Sequence, residues 1–186
     1  MDKTSTPPPG AVWELAEQAV SYVRASLGIT LDYSAETLPV LDHYLRQIPP
    51  GRPELVGLTG TTAGAYFGEV VRQTLDGEWR IVDEKKPATW QLFLPGGLRF
   101  SPVGFAVEAI TQTETDEYDG NFEVPPDDLE AVSIALEQQG QIPSEQYYSL
   151  CGRLETLMSV IDVLLVTQRE RSPSLVHQPD SDGSHN

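Results

Sequence analysis

The residues able to do chemistry in this chain are few. His43 is the only histidine before the C-terminal tail, which holds His177 and His185, and Cys151 is the only cysteine. A Ser–His–Asp arrangement would have to use His43, and no G-x-S-x-G elbow accompanies it. His43 sits between Asp42 and Tyr44 on an expected helix, where a surface or edge position is the natural reading. Zinc needs clustered Cys and His, and the phosphate-cradling patterns G-x-x-x-x-G-K-[ST] and G-x-G-x-x-G are both missing. Cys151 falls on an apolar stripe with no His or Lys beside it to lower its pKa, so it reads as a small hydrophobe and not as a nucleophile.

Carboxylates remain. The loop 115-TDEYDGNFEVPP-126 places Gly120 where a calcium loop has its sharp-turn glycine, with Asp119 and Glu117 before it. Thr115 and Pro126 then occupy the first and last ligand positions, where carboxylates are needed, so the match fails. Asp32, Glu69 and Asp83 lie in or beside expected elements, but nothing in their spacing sets two of them at a catalytic separation. No catalytic residue, metal or cofactor is expected, and the chain reads as a non-catalytic protein.

The element that must position most of this chemistry is 60-GTTAGAYFGEVVRQTLDGEW-79. Gly60, Gly64 and Gly68 recur at four-residue spacing, on one face of a helix. Each costs about 1 kcal/mol relative to alanine in a helix interior, so something must offset it. Close packing of another backbone is the plain answer, and contact with a ligand is the other. Glu69 and Arg72 are three apart, the spacing of a weak surface ion pair. The sharper alternative is a candidate pocket between this helix and a sheet, rimmed by Tyr66, Glu69, Arg72, Trp79 and Trp90.

Around it the chain reads as α+β: about five helices and an antiparallel sheet of three strands, with a fourth as an alternative. A first helix runs from about Ala11 to Leu27 and stops at Gly28. After the extended 29-ITLDY-33, Ser34 is placed to cap a second helix that carries Leu38, Leu41, Tyr44 and Leu45. The glycine helix begins between Glu54 and Thr61 and ends at Asp76-Gly77. The period then changes to two. Trp79, Ile81 and Asp83 alternate with their neighbours, as do Trp90, Leu92 and Leu94, and Leu98–Phe100 resume beyond Pro95-Gly96-Gly97. The segment 102-PVGFAVEAIT-111 reads as a helix in preference to a fourth strand, with Pro102 at its first position. Another helix is expected over 126–140 and a long one from about Pro143 to Arg169. The last carries the stripe Tyr147, Leu150, Cys151, Leu154, Leu157, Met158, Ile161, Leu164 and Leu165. That spacing fits a core-facing helix, and a homodimer seam shares it. Residues 1–9 and 171–186 read as disordered flanks of one domain over 10–170.

Charge narrows the partners. Acids number 28 against 12 bases, a net charge of −16. Such a surface repels nucleic acid and anionic membranes. No apolar run reaches the length of a membrane span, and MDKTSTPPPG has no apolar h-region, so a cytoplasmic protein is expected. Eight acids and no base lie between Glu114 and Glu130. This segment is a solvated loop or a surface for a basic protein, and Glu114, Asp116, Glu117, Asp119 and Glu123 form the candidate partner surface.

The segments 31-LDYSAETLPVLD-42 and 64-GAYFGEVV-71, followed by Gly77 and Trp79, resemble a family of small bacterial proteins of uncharacterised function. The resemblance spans residues 28–100. It implies a bacterial origin and a small α+β domain, and it brings no active site. The leading expectation is an acidic protein that recognises another protein, for instance an immunity protein against a basic toxin. A small-molecule or peptide binder, or a carboxylate-based enzyme, with a pocket between the glycine helix and the sheet is the second. A structural homodimer through the last helix is the third.

Overall fold

A computed structural model describes residues 7–171. The disordered flanks expected from the sequence lie outside the described residues, apart from Pro7–Pro9 and Arg171.

Helix α1 (Gly10–Leu27) buries Val12, Ala16, Ala19 and Val23, one residue per turn along a single face. It closes at Gly28, whose φ of 71° lets its N–H reach the Arg24 carbonyl at 2.9 Å. Residues 29–33 form no strand. Tyr33 takes a left-handed φ of 62°, uncommon for a bulky residue. Its N–H donates to the Tyr66 hydroxyl at 2.9 Å, and its ring stacks between Trp13 and Tyr66 at centroid distances of 5.3 and 4.8 Å. These contacts hold the conformation.

Ser34 does not cap helix α2 (Leu38–Leu45) as expected. Its hydroxyl donates to Asp32 Oδ1 at 2.6 Å, which also accepts from the Ser34 N–H and the Thr37 hydroxyl. The Asp32 carboxylate organises this turn, and those donors hold its pKa below the ordinary value.

Helix α3 (Pro53–Leu75) is central and lies against α1 on one side and α4 (Pro102–Thr111) on the other. It starts earlier than the sequence suggested, because Pro53 is well placed in a first turn. Helix α4 is the helix expected at that position, and the Ser101 hydroxyl accepts from the Gly104 N–H at its start.

Strands β1 (Glu78–Arg80), β2 (Gln91–Phe93), β3 (Arg99–Phe100) and β4 (Phe122–Glu123) form an antiparallel sheet in that order. The strands are shorter than their alternation suggested, with Ile81, Asp83, Trp90 and Leu94 outside the paired residues. The fourth strand comes from within the acidic segment. Phe122 pairs with Phe100 and Glu123 with Arg99, so one aromatic neighbour and one ion pair suffice to hold it.

Helix α5 (Leu129–Gln138) follows. The expected long final helix is broken into α6 (Ser144–Tyr147) and α7 (Leu150–Arg171). The break has a local cause. Ser149 Oγ accepts from the Gly152 N–H at 3.0 Å, and Asp42 on α2 accepts from the N–H groups of Leu150 and Cys151 at 2.7 and 3.1 Å. The free N–H groups of α7's first turn are therefore met by side chains, which is what starts a new helix. The described residues thus hold seven α-helices where about five were expected, within the same α+β class.

Asp42 is 4% exposed and serves α7 from another helix. Asp42→Ala is expected to lower stability by about 1–2 kcal/mol, the upper part of the range for lost caps. Hydrogen exchange should localise the loss to residues 150–153; exchange unchanged there would contradict the capping role.

Candidate functional site

The glycine face of α3 is a packing surface. A Cβ on Gly60 would stand 2.5 Å from Val107 Cγ2, one on Gly64 2.5 Å from the Val103 Cα, and one on Gly68 2.3 Å from the Trp79 ring. Helix α4 and Trp79 occupy the space that side chains would take. Close packing offsets the helix-propensity cost.

On the same helix, Glu69 is fully buried. It accepts from Arg72 Nε at 2.9 Å and Nη2 at 3.1 Å, and from Trp79 Nε1 at 2.6 Å. The Glu69–Arg72 pair expected at the surface is therefore an interior one, with Arg72 only 11% exposed. Burial is possible because the indole and the guanidinium together supply donors that water would otherwise give. Trp90 lies edge-on to Trp79 at 6.3 Å, and its own N–H donates to the Asp83 carbonyl. Arg72 and Trp79 are thus brought together on the Glu69 carboxylate, with Trp90 packed behind Trp79. Tyr66 is fully buried, and its hydroxyl serves Tyr33 and Thr37 instead.

The acidic segment has a fixed frame. A Cβ on Gly104 would fall 1.8 Å from the Asp119 carbonyl oxygen, so the loop's backbone lies directly on α4. Asp119 Oδ1 accepts from the Asn121 N–H and side-chain amide. From this frame Glu114, Asp116 and Glu117 are exposed, and no salt bridge reaches them among the described residues. Glu123 pairs with Arg99. Asp128 is buried, accepts from Gln168 at 2.9 Å and pairs with Arg171. Among the described residues no three His, Cys, Asp or Glu converge as a metal site.

Sequence reasoning passed over the pair Glu108 and Arg153. Arg153 Nη2 donates to Glu108 Oε2 at 2.5 Å, and both residues are buried. The guanidinium lies 4.4 Å from the ring centres of both Phe105 and Tyr147. A Cβ on Gly120 would meet the Glu108 carboxyl carbon at 2.0 Å, so the absent side chain leaves room for the charge. Burial raises the Glu108 pKa, Arg153 opposes that rise, and Glu114 and Asp119 add to it. A signal was present. Glu108 is the only charge in 102–111, and Arg153 interrupts an apolar face between Leu150 and Leu157.

His43 is exposed, with Nε2 beside the Gln47 amide at 2.9 Å. Cys151 is half-buried beside Asp42, in the lining of a cavity of about 370 Å³ that also includes Arg46 and Glu145. Burial, then the Asp42 carboxylate, pushes its thiol up to about 12. Only about one thiol in 10⁴ is then ionised at pH 8. Iodoacetamide at that pH is expected to leave the native protein unmodified and to alkylate it in denaturant. Rapid labelling of the native chain would show the thiol to be accessible and ionised.

A larger groove, of about 480 Å³, runs between β4 and α5. None of the helices among the described residues is long and apolar enough to cross a membrane. Comparison of the chain with protein-family models, with curated proteins and with solved structures finds no match to any of them.

Proposed function

We propose that this is a non-catalytic, acidic protein of the cytoplasm that recognises a basic protein. An immunity protein against a basic toxin is one concrete form. The observation behind this reading is the state of Glu114, Asp116 and Glu117: exposed, without an ion partner among the described residues, and carried by a loop seated on α4. Like charges held on a fixed frame raise the on-rate and the selectivity for an opposite surface. Nucleic acid and anionic membrane are poor partners for a net charge of −16.

The test is affinity capture from native cells at low and high salt, with Glu114→Lys/Asp116→Lys/Glu117→Lys as a second bait. A basic protein should be held at low salt, weakened at high salt and lost on the charge-reversed bait. Capture indifferent to both salt and reversal would overturn the reading.

A homodimer through α7 has one observation in its favour. The helix buries Leu150, Leu154, Leu157, Ile161 and Leu164 in its own core, yet Met158, Leu165 and Val166 are 45%, 44% and 54% exposed. Sedimentation over a range of concentrations separates this from a monomer. A pocket between the glycine helix and the sheet has less behind it, because Arg72 and Trp79 already fill the approach to Glu69.

A further inference from the structure

The groove between β4 and α5 has features that the acidic loop lacks. Its apolar lining comes from Phe122 and Val124 on one side and Leu129, Val132 and Leu136 on the other, beside the polar Asn121, Glu123, Ser133 and Arg153. Leu129 is 58% exposed, so a large apolar side chain stands open on α5. One wall is a sheet edge: β4 pairs with β3 alone, and among the described residues nothing pairs with its outer side. Backbone groups on such an edge are a template for another strand.

The acids beside the groove differ in availability. Glu123 lines it but is paired with Arg99, and Asp128 is buried and paired with Arg171. Asp127, Glu130 and Glu137 are exposed, with no salt bridge among the described residues. Arg153, in the lining, already has its charge matched by Glu108. Its Nε is buried with no hydrogen-bond partner, so a donor there lacks an acceptor.

We propose that this groove receives an extended peptide segment of a partner protein, in which one apolar side chain is flanked by Lys or Arg. The segment adds as a strand to the outer edge of β4. Its apolar side chain enters between Phe122 and Leu129, and its basic side chains meet the exposed acids beside the groove, Asp127, Glu130 and Glu137. Main-chain bonds supply affinity in this mode and the pocket supplies specificity. A carbonyl of the segment is an acceptor of the kind Arg153 Nε lacks. The assignment rests on the reading of the protein as a binder of basic partners and names the part of the partner that is held.

Fluorescein-labelled nine-residue peptides test it, each with a central Leu, Ile or Phe among alternating Lys and Thr. Two controls carry Glu in place of Lys, or N-methyl groups on alternate residues. Anisotropy with the full chain should show binding of the Lys peptides. It should weaken by about tenfold on N-methylation and by about tenfold with Leu129→Asn. The Glu peptides should not bind. Ser133→Arg, exposed on the same wall, should also weaken binding and serves if Leu129→Asn disturbs the fold. Failure of every Lys peptide to bind overturns the groove assignment. Binding indifferent to N-methylation and to both groove variants does so too. If such binding is abolished by Glu114→Lys/Asp116→Lys/Glu117→Lys, the groove assignment falls while acidic recognition stands. If the Glu peptides bind as well as the Lys peptides, both fall.

Discussion

Gly64→Ala is expected to cost about 3 kcal/mol or more of folding stability, the upper range for an overpacked core. The new Cβ would stand 2.5 Å from Val103 Cα, 2.8 Å from Val103 N and 2.9 Å from the Pro102 carbonyl oxygen. All three are backbone atoms of the first turn of α4, so no side-chain rotation relieves the clash. Alanine's helix propensity favours the substitution by about 1 kcal/mol, and the steric cost must exceed that. Gly57→Ala on the same helix is the control. Its Cβ would meet only the Tyr118 hydroxyl, at 3.1 Å, at the far end of a side chain. It should be neutral or stabilise by up to about 1 kcal/mol. Urea denaturation of both variants decides the matter. Equal effects would mean that the contact between α3 and α4 is looser than described.

The second large effect belongs to Glu108 and Arg153. Removing either partner strands the other charge in the interior, so Arg153→Met alone is expected to cost about 3–5 kcal/mol. Glu108→Met/Arg153→Met together should cost far less than the two single changes added, since an apolar pair of similar volume leaves no charge behind. A double-mutant cycle in urea reads the difference, and additive losses would show that the two side chains act separately. The pair also has a pH signature. Burial sets the Glu108 pKa in the folded state above its ordinary value, so the folded state keeps that proton to a higher pH than the unfolded chain. Its contribution is fully present below the unfolded value, near 4.5, and declines as pH rises through the folded one. Glu108→Gln should remove this decline from the stability profile. A profile of unchanged shape would assign it to another group.

The helices were legible where an apolar face repeats without interruption, as along Val12, Ala16, Ala19 and Val23. Packing was the leading explanation of the Gly60–Gly68 stripe, because the helix-propensity cost demanded an offset, but which element lay on it had no trace in local sequence. Strand β4 was missed because two residues, Phe122 and Glu123, are too few for a period of two to appear. The break near Ser149 was missed because half of its cause, Asp42, lies on a different helix. Among the candidate residues, Glu69 and Arg72 were read from spacing alone, which reports who is adjacent and not how deep the pair lies. Depth is set by Trp79, whose indole hydrogen makes the buried carboxylate tolerable. The exposure of Glu114, Asp116 and Glu117 was plain from composition; the frame beneath them, Asp119 seated on Gly104 of α4 and Gly120 on Glu108, was not.

The cap that Asp42 places on α7 also bears on the order in which the molecule is made. The donor at Leu150 lies 108 residues after its acceptor. At ribosomal rates of about 5–20 residues per second, that interval is roughly 5–22 s. By its end α1, α3 and α4 have all been synthesised, and in the folded protein α3 contacts both of the others closely. The acceptor of the α7 cap is therefore made well before its donors. A ribosome that stalls before residue 150 holds a chain in which the Asp42 carboxylate lacks both of its α7 donors.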